Sequence, residues 1–196
     1  MVHADASNFV DGVTKDDAYE QVLLQAEGLF YGQRNWIVDP WQSLLIEALT
    51  LGDSNLANAA SLLWHAYKSL PAPSNEVNWA GFYVLDPSSK EQLILGPFQG
   101  KVACQTIGFG RGVCGTAAAT RTTQLVEDVE RFPGHIACDG DSKSEIVVPI
   151  VSKDENGAER VVAIIDIDCA ALNGFDQVDK KNLEQLAALL SKSCDW

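Results

Sequence analysis

The stretch at residues 145–168, EIVVPIVSKDENGAERVVAIIDID, decides how this chain folds. Two apolar, β-branched runs flank Asp-Glu-Asn-Gly at 154–157, the composition of two strands joined by a turn. Strands joined by so short a connection run antiparallel. Side chains alternate across a strand, so Asp166 and Asp168 continue the face of Val162 and Ile164, while Val161, Ala163, Ile165 and Ile167 point the other way. A hairpin symmetric about the turn sets Glu145 opposite Asp166, and three carboxylates then converge at one end of the sheet. Carboxylates on an otherwise apolar face are costly unless a ligand, proton or cation meets them. Such a cluster can bind an ammonium group, and like-charge repulsion can keep one carboxyl protonated, a usable general acid near a thiolate. A solvated surface cluster is the other reading of the same three residues.

Working outward, VNWAGFYVL (77–85) and EQLILGPF (91–98) read as strands separated by a turn at Asp-Pro-Ser-Ser, KVACQTI (101–107) as a third short strand and TQLVED (123–128) as a fourth. Helical patterns bracket these strands. Tyr19, Val22, Leu23, Ala26, Leu29 and Phe30 form one stripe, DPWQSLLIEALTLG (39–52) has an Asp-Pro start and a Gly stop, and SNLANAASLLWHAYKSL (54–70) gives a third helix. VCGTAAATR (113–121) is a short helix, and the closing segment 176–193 lines up Val178, Leu183, Leu186, Leu189 and Leu190. Helices, then strands, then a closing helix predict one α+β domain over 1–196 with a mostly antiparallel sheet. Its helical part spans 15–70, its sheet core 75–170 and its closing helix 176–193.

The chain has 196 residues with 46% apolar and 21% charged content, enough for one full core. Its formal charge of −13 repels phosphate backbones and anionic membranes, so neither nucleic acid nor a membrane is expected as a partner. No apolar run reaches membrane-spanning length, and the first residues lack the pattern of a secretory signal, which gives a cytoplasmic or nuclear expectation. Five cysteines, at 104, 114, 138, 169 and 194, then read as buried hydrophobes, metal ligands or reactive thiols rather than as a disulfide framework.

GFGRGVCGTAAA (108–119) has the look of a phosphate loop, but it lacks Gly-Lys-Ser/Thr and sits in no long βαβ unit, so its glycines are read as backbone turns. Zinc held by Cys104, Cys114, Cys138 and His135 would lack any C-x-x-C pair, and no metal is expected. Cys138 lies in the polar loop GHIACDGDSK, where reactive and buried readings stand level. Alternation along 101–107 puts Cys104 with Val102 and Thr106, as a buried structural thiol. Cys169 and Cys194 read as inert. Trp79 and Tyr83 share a strand face, either as core or as the wall of an apolar pocket.

Taken together, NWAGFYVL, LGPFQGKVAC, GRGVCGTA, EDV, PGHIACD, SEIVVPI and DID resemble the free methionine-(R)-sulfoxide reductases, across roughly residues 75–190 and more loosely through NLANAASLLWHAY. The resemblance implies a GAF-like fold with a six-stranded antiparallel sheet, a homodimer, and reduction of the free amino acid without a bound metal or organic cofactor. It implies Cys138 as nucleophile, Cys104 as resolving cysteine and Cys114 as an auxiliary third thiol. Trp79 and Tyr83 would hold the substrate methyl, and Glu145, Asp166 and Asp168 would surround the sulfoxide and amino group. Electrons would come from thioredoxin, recharged by NADPH through thioredoxin reductase. A GAF module that binds a small ligand without turnover, or a thiol redox sensor, is the alternative. Two departures stand out: residues near 37–54 look inserted, and Cys169 follows the DID motif where relatives often carry serine.

Overall fold

A computed structural model describes residues 9, 12–32, 55–136, 140–153 and 156–196. The expected helix at 39–52, the inserted segment 37–54 and Cys138 lie outside the described residues.

Six strands form one antiparallel sheet: β1 (Val77–Leu85), β2 (Gln92–Gly100), β3 (Thr106–Gly108), β4 (Gln124–Val126), β5 (Ser144–Lys153) and β6 (Glu159–Cys169), in the spatial order β3-β2-β1-β6-β5-β4. Helices α1 (Lys15–Phe30), α2 (Asn55–Ser69) and α4 (Gln177–Ser193) contribute to the large core that seals one sheet face. On the other face a smaller core gathers around α3 (Gly112–Thr120) and includes Trp79, Tyr83, Cys114 and Ile164. The two cores separate duties, since the larger stabilises the domain and the smaller leaves room for a cavity.

The hairpin forms as expected, but its register differs. Glu145 pairs with Asp168 and Val147 with Asp166: the turn sets Val151 opposite Val161, one residue beyond the symmetric register, and a bulge near Val162 adds a second residue before the pair Ile150–Ala163. An extra residue in one strand shifts everything beyond it and breaks the alternation there. Val162 accordingly joins the helix-covered core, while Ile164 stays on the cavity face. Glu145 and Asp166 become diagonal neighbours rather than a facing pair, still close enough for long side chains to meet.

The third expected strand is also shorter than its sequence implies. Only Thr106–Gly108 pairs with β2, and residues 101–105 form a loop in which Val102 is 88% exposed. Gly100 explains the departure. Its φ of +126° suits glycine, and a Cβ there would stand 2.6 Å from the Asn78 carbonyl oxygen. The chain therefore leaves the sheet at Gly100, and strand alternation says nothing about Cys104.

A buried polar cluster clamps the helices together. Asp176 caps α4, with its Oδ1 accepting from the Val178 amide at 2.7 Å, and Asp179 Oδ2 returns to the Asp176 amide at 2.7 Å. Asp179 is fully buried, and its Oδ1 accepts from the Tyr19 hydroxyl at 2.9 Å and the Tyr67 hydroxyl at 3.0 Å. Those hydroxyls also hydrogen-bond each other. Lys15 Nζ donates to Asp179 Oδ2 at 2.6 Å and to Asp176 Oδ2 at 2.9 Å. Burial alone would lower the Lys15 pKa, but its hydrogen bond to Asp179 and the charge of Asp179 outweigh that and raise it.

One carboxylate thus joins α1, α2 and α4. Asp179→Ala takes the shared acceptor from two buried phenols and leaves the Lys15 ammonium with Asp176 alone. It should destabilise the protein by roughly 3–5 kcal/mol in urea unfolding, well beyond the loss of an exposed helix-cap ion pair.

Candidate active site

Beneath α3, the sheet floor opens into a cavity of about 360 Å³, a size suited to a small metabolite. One wall is aromatic. Trp79 and Tyr83 stack with centroids 5.8 Å apart, and Phe98 of β2 stacks with Trp79 at 5.2 Å. Polar ends fix these rings in place, because Trp79 Nε1 donates to the Lys101 carbonyl at 3.2 Å and the Tyr83 hydroxyl to the Cys104 carbonyl at 3.0 Å. The same two bonds fasten the exposed loop 101–105 to the cavity wall. Trp79 and Tyr83 therefore serve as both core and wall, and the choice posed by their spacing dissolves.

The floor is acidic. Glu145 and Asp166 are 6% and 5% exposed, so they are buried rather than solvated, and half-buried Asp168 joins them in the lining. The Cys114 thiol, on the first turn of α3, donates to Glu145 Oε1 at 3.5 Å. Burial, together with the charges of Asp166 and Asp168, holds the Glu145 carboxyl well above the usual carboxylate range. Asp166 is raised as well, mainly by burial, to about 6. Cys114 is pushed up by burial and by the neighbouring carboxylates of Asp166 and Glu145. A thiol so placed keeps its proton and is a poor nucleophile. Asp166 Oδ1 has no hydrogen-bond partner among the described residues, so a buried acceptor is left for something outside the fold.

The glycine loop sets the roof. Gly115 accepts the Gly110 amide at 2.7 Å, and a Cβ on it would stand 2.3 Å from the Gly108 carbonyl oxygen. That close backbone approach requires glycine and brings Arg111 to Cys114 over the cavity. The loop shapes a pocket rather than cradling phosphate. Arg111 and His135 also line the cavity, the latter with its pKa lowered by partial burial against the opposing pull of Glu130.

Cys104 lines the cavity half-buried and is disulfide-bonded. This corrects its reading as an inert structural thiol, which rested on a strand that ends before it. It also removes Cys104 from any zinc set, since a disulfide sulfur has no thiolate to give. Cys114, Cys169 and Cys194 are buried and outside any disulfide. Cys169 and Cys194 belong to the helix-covered core, away from the cavity. Sequence reasoning passed over Phe98 and Arg111. Phe98 was legible as an aromatic on the strand beside Trp79; Arg111 carried no signal apart from the glycines around it.

The GAF domain family model matches residues 74–192, which includes the whole sheet. The free methionine-R-sulfoxide reductase of Saccharomyces cerevisiae is 54% identical over 192 residues, covering 98% of this chain and 94% of the yeast protein. The chain belongs to the free methionine-R-sulfoxide reductase family of GAF-domain proteins. The Escherichia coli member is 45% identical over 74% of this chain and 81% of its own length. A Neisseria meningitidis member, solved in complex with its substrate, superposes with a TM-score of 0.73 at 36% identity, covering 95% of this chain and 93% of that one.

The buried acids of this family member also leave a stability signature. Asp166 has a folded pKa near 6 against an ordinary 3.8, so its contribution to stability is present below about pH 4 and is lost as pH rises through 6. Glu145 acts in the same direction. Asp166→Asn should therefore raise the melting temperature at pH 8 by about 5 °C and change it far less at pH 4. Calorimetric melts of the parent and variant across that range check this.

Proposed function

We propose that this protein reduces free methionine (R)-sulfoxide to methionine. The observation that carries the reading is a cavity that pairs an aromatic wall with proton-holding carboxyls and has a disulfide-bonded cysteine in its lining, in a chain 54% identical to a reductase of that name. The thioether end of the substrate packs on Trp79 and Tyr83, the sulfoxide oxygen meets Glu145 and Asp166, and Asp168 helps receive the ammonium. The substrate carboxylate lies toward the backbone N–H groups that open α3.

Cys138 is the nucleophile in this scheme. Cys114 is held protonated by its surroundings, Cys169 and Cys194 lie in the other core, and Cys104 suits the resolving role from its place in the lining. The Cys138 thiolate attacks the sulfoxide sulfur while a carboxyl protonates the oxygen. The sulfur–oxygen bond breaks as the hydroxyl passes to the Cys138 sulfur and the transient bond between the two sulfurs cleaves, so methionine leaves reduced by two electrons and Cys138 is oxidised to a sulfenic acid. The Cys104 thiolate then displaces hydroxide from Cys138, releasing water once protonated and forming a disulfide. Thioredoxin reduces that disulfide by thiol exchange, with NADPH restoring thioredoxin through its reductase. The protein itself works as a homodimer, a state that sedimentation equilibrium tests.

With thioredoxin, thioredoxin reductase and NADPH, the R epimer of free methionine sulfoxide should drive NADPH oxidation and the S epimer should not. Well-folded protein that ignores both epimers would leave a ligand-binding GAF module as the better reading. Cys138→Ser should lower turnover at least a thousandfold, and activity near the parent level would move the nucleophile elsewhere. Cys104→Ser should release one equivalent of methionine per protein without thioredoxin, yet fail to cycle with it. A parental steady-state rate in that variant would reject its resolving role.

A further inference from the structure

The cavity floor sets the Cys114 thiol, which the proposed reduction leaves unused, beside the two buried carboxyls. Cys114 Sγ, one oxygen of Glu145 and one oxygen of Asp166 all lie within 4.8 Å of one another, and all three side chains are buried. Tetrahedral zinc with sulfur at about 2.3 Å and oxygen at about 2.0 Å needs a sulfur–oxygen edge of about 3.5 Å. Cys114 Sγ and Glu145 Oε1 are 3.5 Å apart. A second observation concerns the same residue: Asp166, 5% exposed and in the cavity lining, leaves Oδ1 without a hydrogen-bond partner among the described residues.

We propose that this floor binds a zinc-class divalent cation through Cys114, Glu145 and Asp166, in the place the polar end of a substrate would take. One thiolate with two carboxylates selects a borderline-soft ion over magnesium or calcium, which prefer all-oxygen sets. Three protein ligands leave the fourth position facing the cavity, open to water or to half-buried Asp168. On binding, the Cys114 thiol and any protonated carboxyl release their protons to solvent, and no electron moves. The cation neutralises the charge repulsion that otherwise burdens the floor. Metal and substrate then exclude one another, which makes zinc an inhibitor of the pocket rather than a cofactor.

Cobalt(II) provides the probe, because its bond to a thiolate gives a charge-transfer absorption and four-coordination gives intense visible bands. Titrating the full-length reduced protein with Co²⁺, in a phosphine reductant, should develop both features at one equivalent, and Zn²⁺ should abolish them. A Cys104→Ser/Cys138→Ser double variant should retain them, since it keeps Cys114. Cys114→Ser should lose the charge-transfer band. Glu145→Gln, introduced into the double variant, should weaken Co²⁺ binding at least tenfold and does not depend on Cys114→Ser folding. The proposal fails if the parent develops no band, if the double variant loses it, if folded Cys114→Ser keeps it, or if Glu145→Gln leaves the affinity unchanged. None of these readouts uses catalysis, so an absent reductase activity and an absent metal site are separate results.

Discussion

The rest of the site depends on one electrostatic constraint: Glu145 and Asp166 share a buried floor from which water is largely excluded. Separately hydrated, each would ionise in the usual carboxylate range. Under α3, burial holds both carboxyls above that range, and the charges of Asp166 and Asp168 push Glu145 further up. That makes an acid available within the cavity of a protein whose net charge is −13. Burial, with the charges of Asp166 and Glu145, also pushes the Cys114 thiol up, so the acid and a soft donor sit side by side.

Such a floor is a destabilising feature, and the opposite side of the sheet bears the load. Helices α1, α2 and α4 bury a continuous apolar core, and the Asp179 cluster ties all three together. Both ends of the molecule use buried carboxylates, but with different partners. Asp179 meets an ammonium, two phenols and a backbone amide, which satisfies it and makes it structural. Asp166 meets a thiol and another acid and keeps one oxygen unpartnered, which leaves it available to a ligand. The difference between clamp and site lies in whether the fold itself completes the acceptor.

Periodicity carried most of the fold. The 145–168 hairpin, the flanking strands and the described helices follow alternation or a helical stripe that a single sequence displays. What escaped were effects of backbone geometry between distant elements. The register of the turn and a bulge near Val162 together moved Glu145 from Asp166 to Asp168, and a turn at Gly100 removed the Cys104 segment from the sheet. Neither leaves a pattern in local hydrophobicity. Asp179 lies on the buried side of α4, although a helical stripe assigns aspartate to solvent, because its partners come from helices more than a hundred residues away. The carboxylate trio was nevertheless legible, since an acid on an apolar strand face is conspicuous wherever its partner falls. The role proposed for Cys138 rests on resemblance, as no periodic pattern separates a reactive loop thiol from an inert one.

The shared proton can be observed directly by infrared spectroscopy of the reduced, ligand-free protein in D₂O at pH 7, comparing the parent with Glu145→Gln and Asp166→Asn. The account expects the parent to show the carbonyl stretch of a protonated carboxyl that both variants lose. A parent spectrum with only ionised carboxylates at that pH would contradict it.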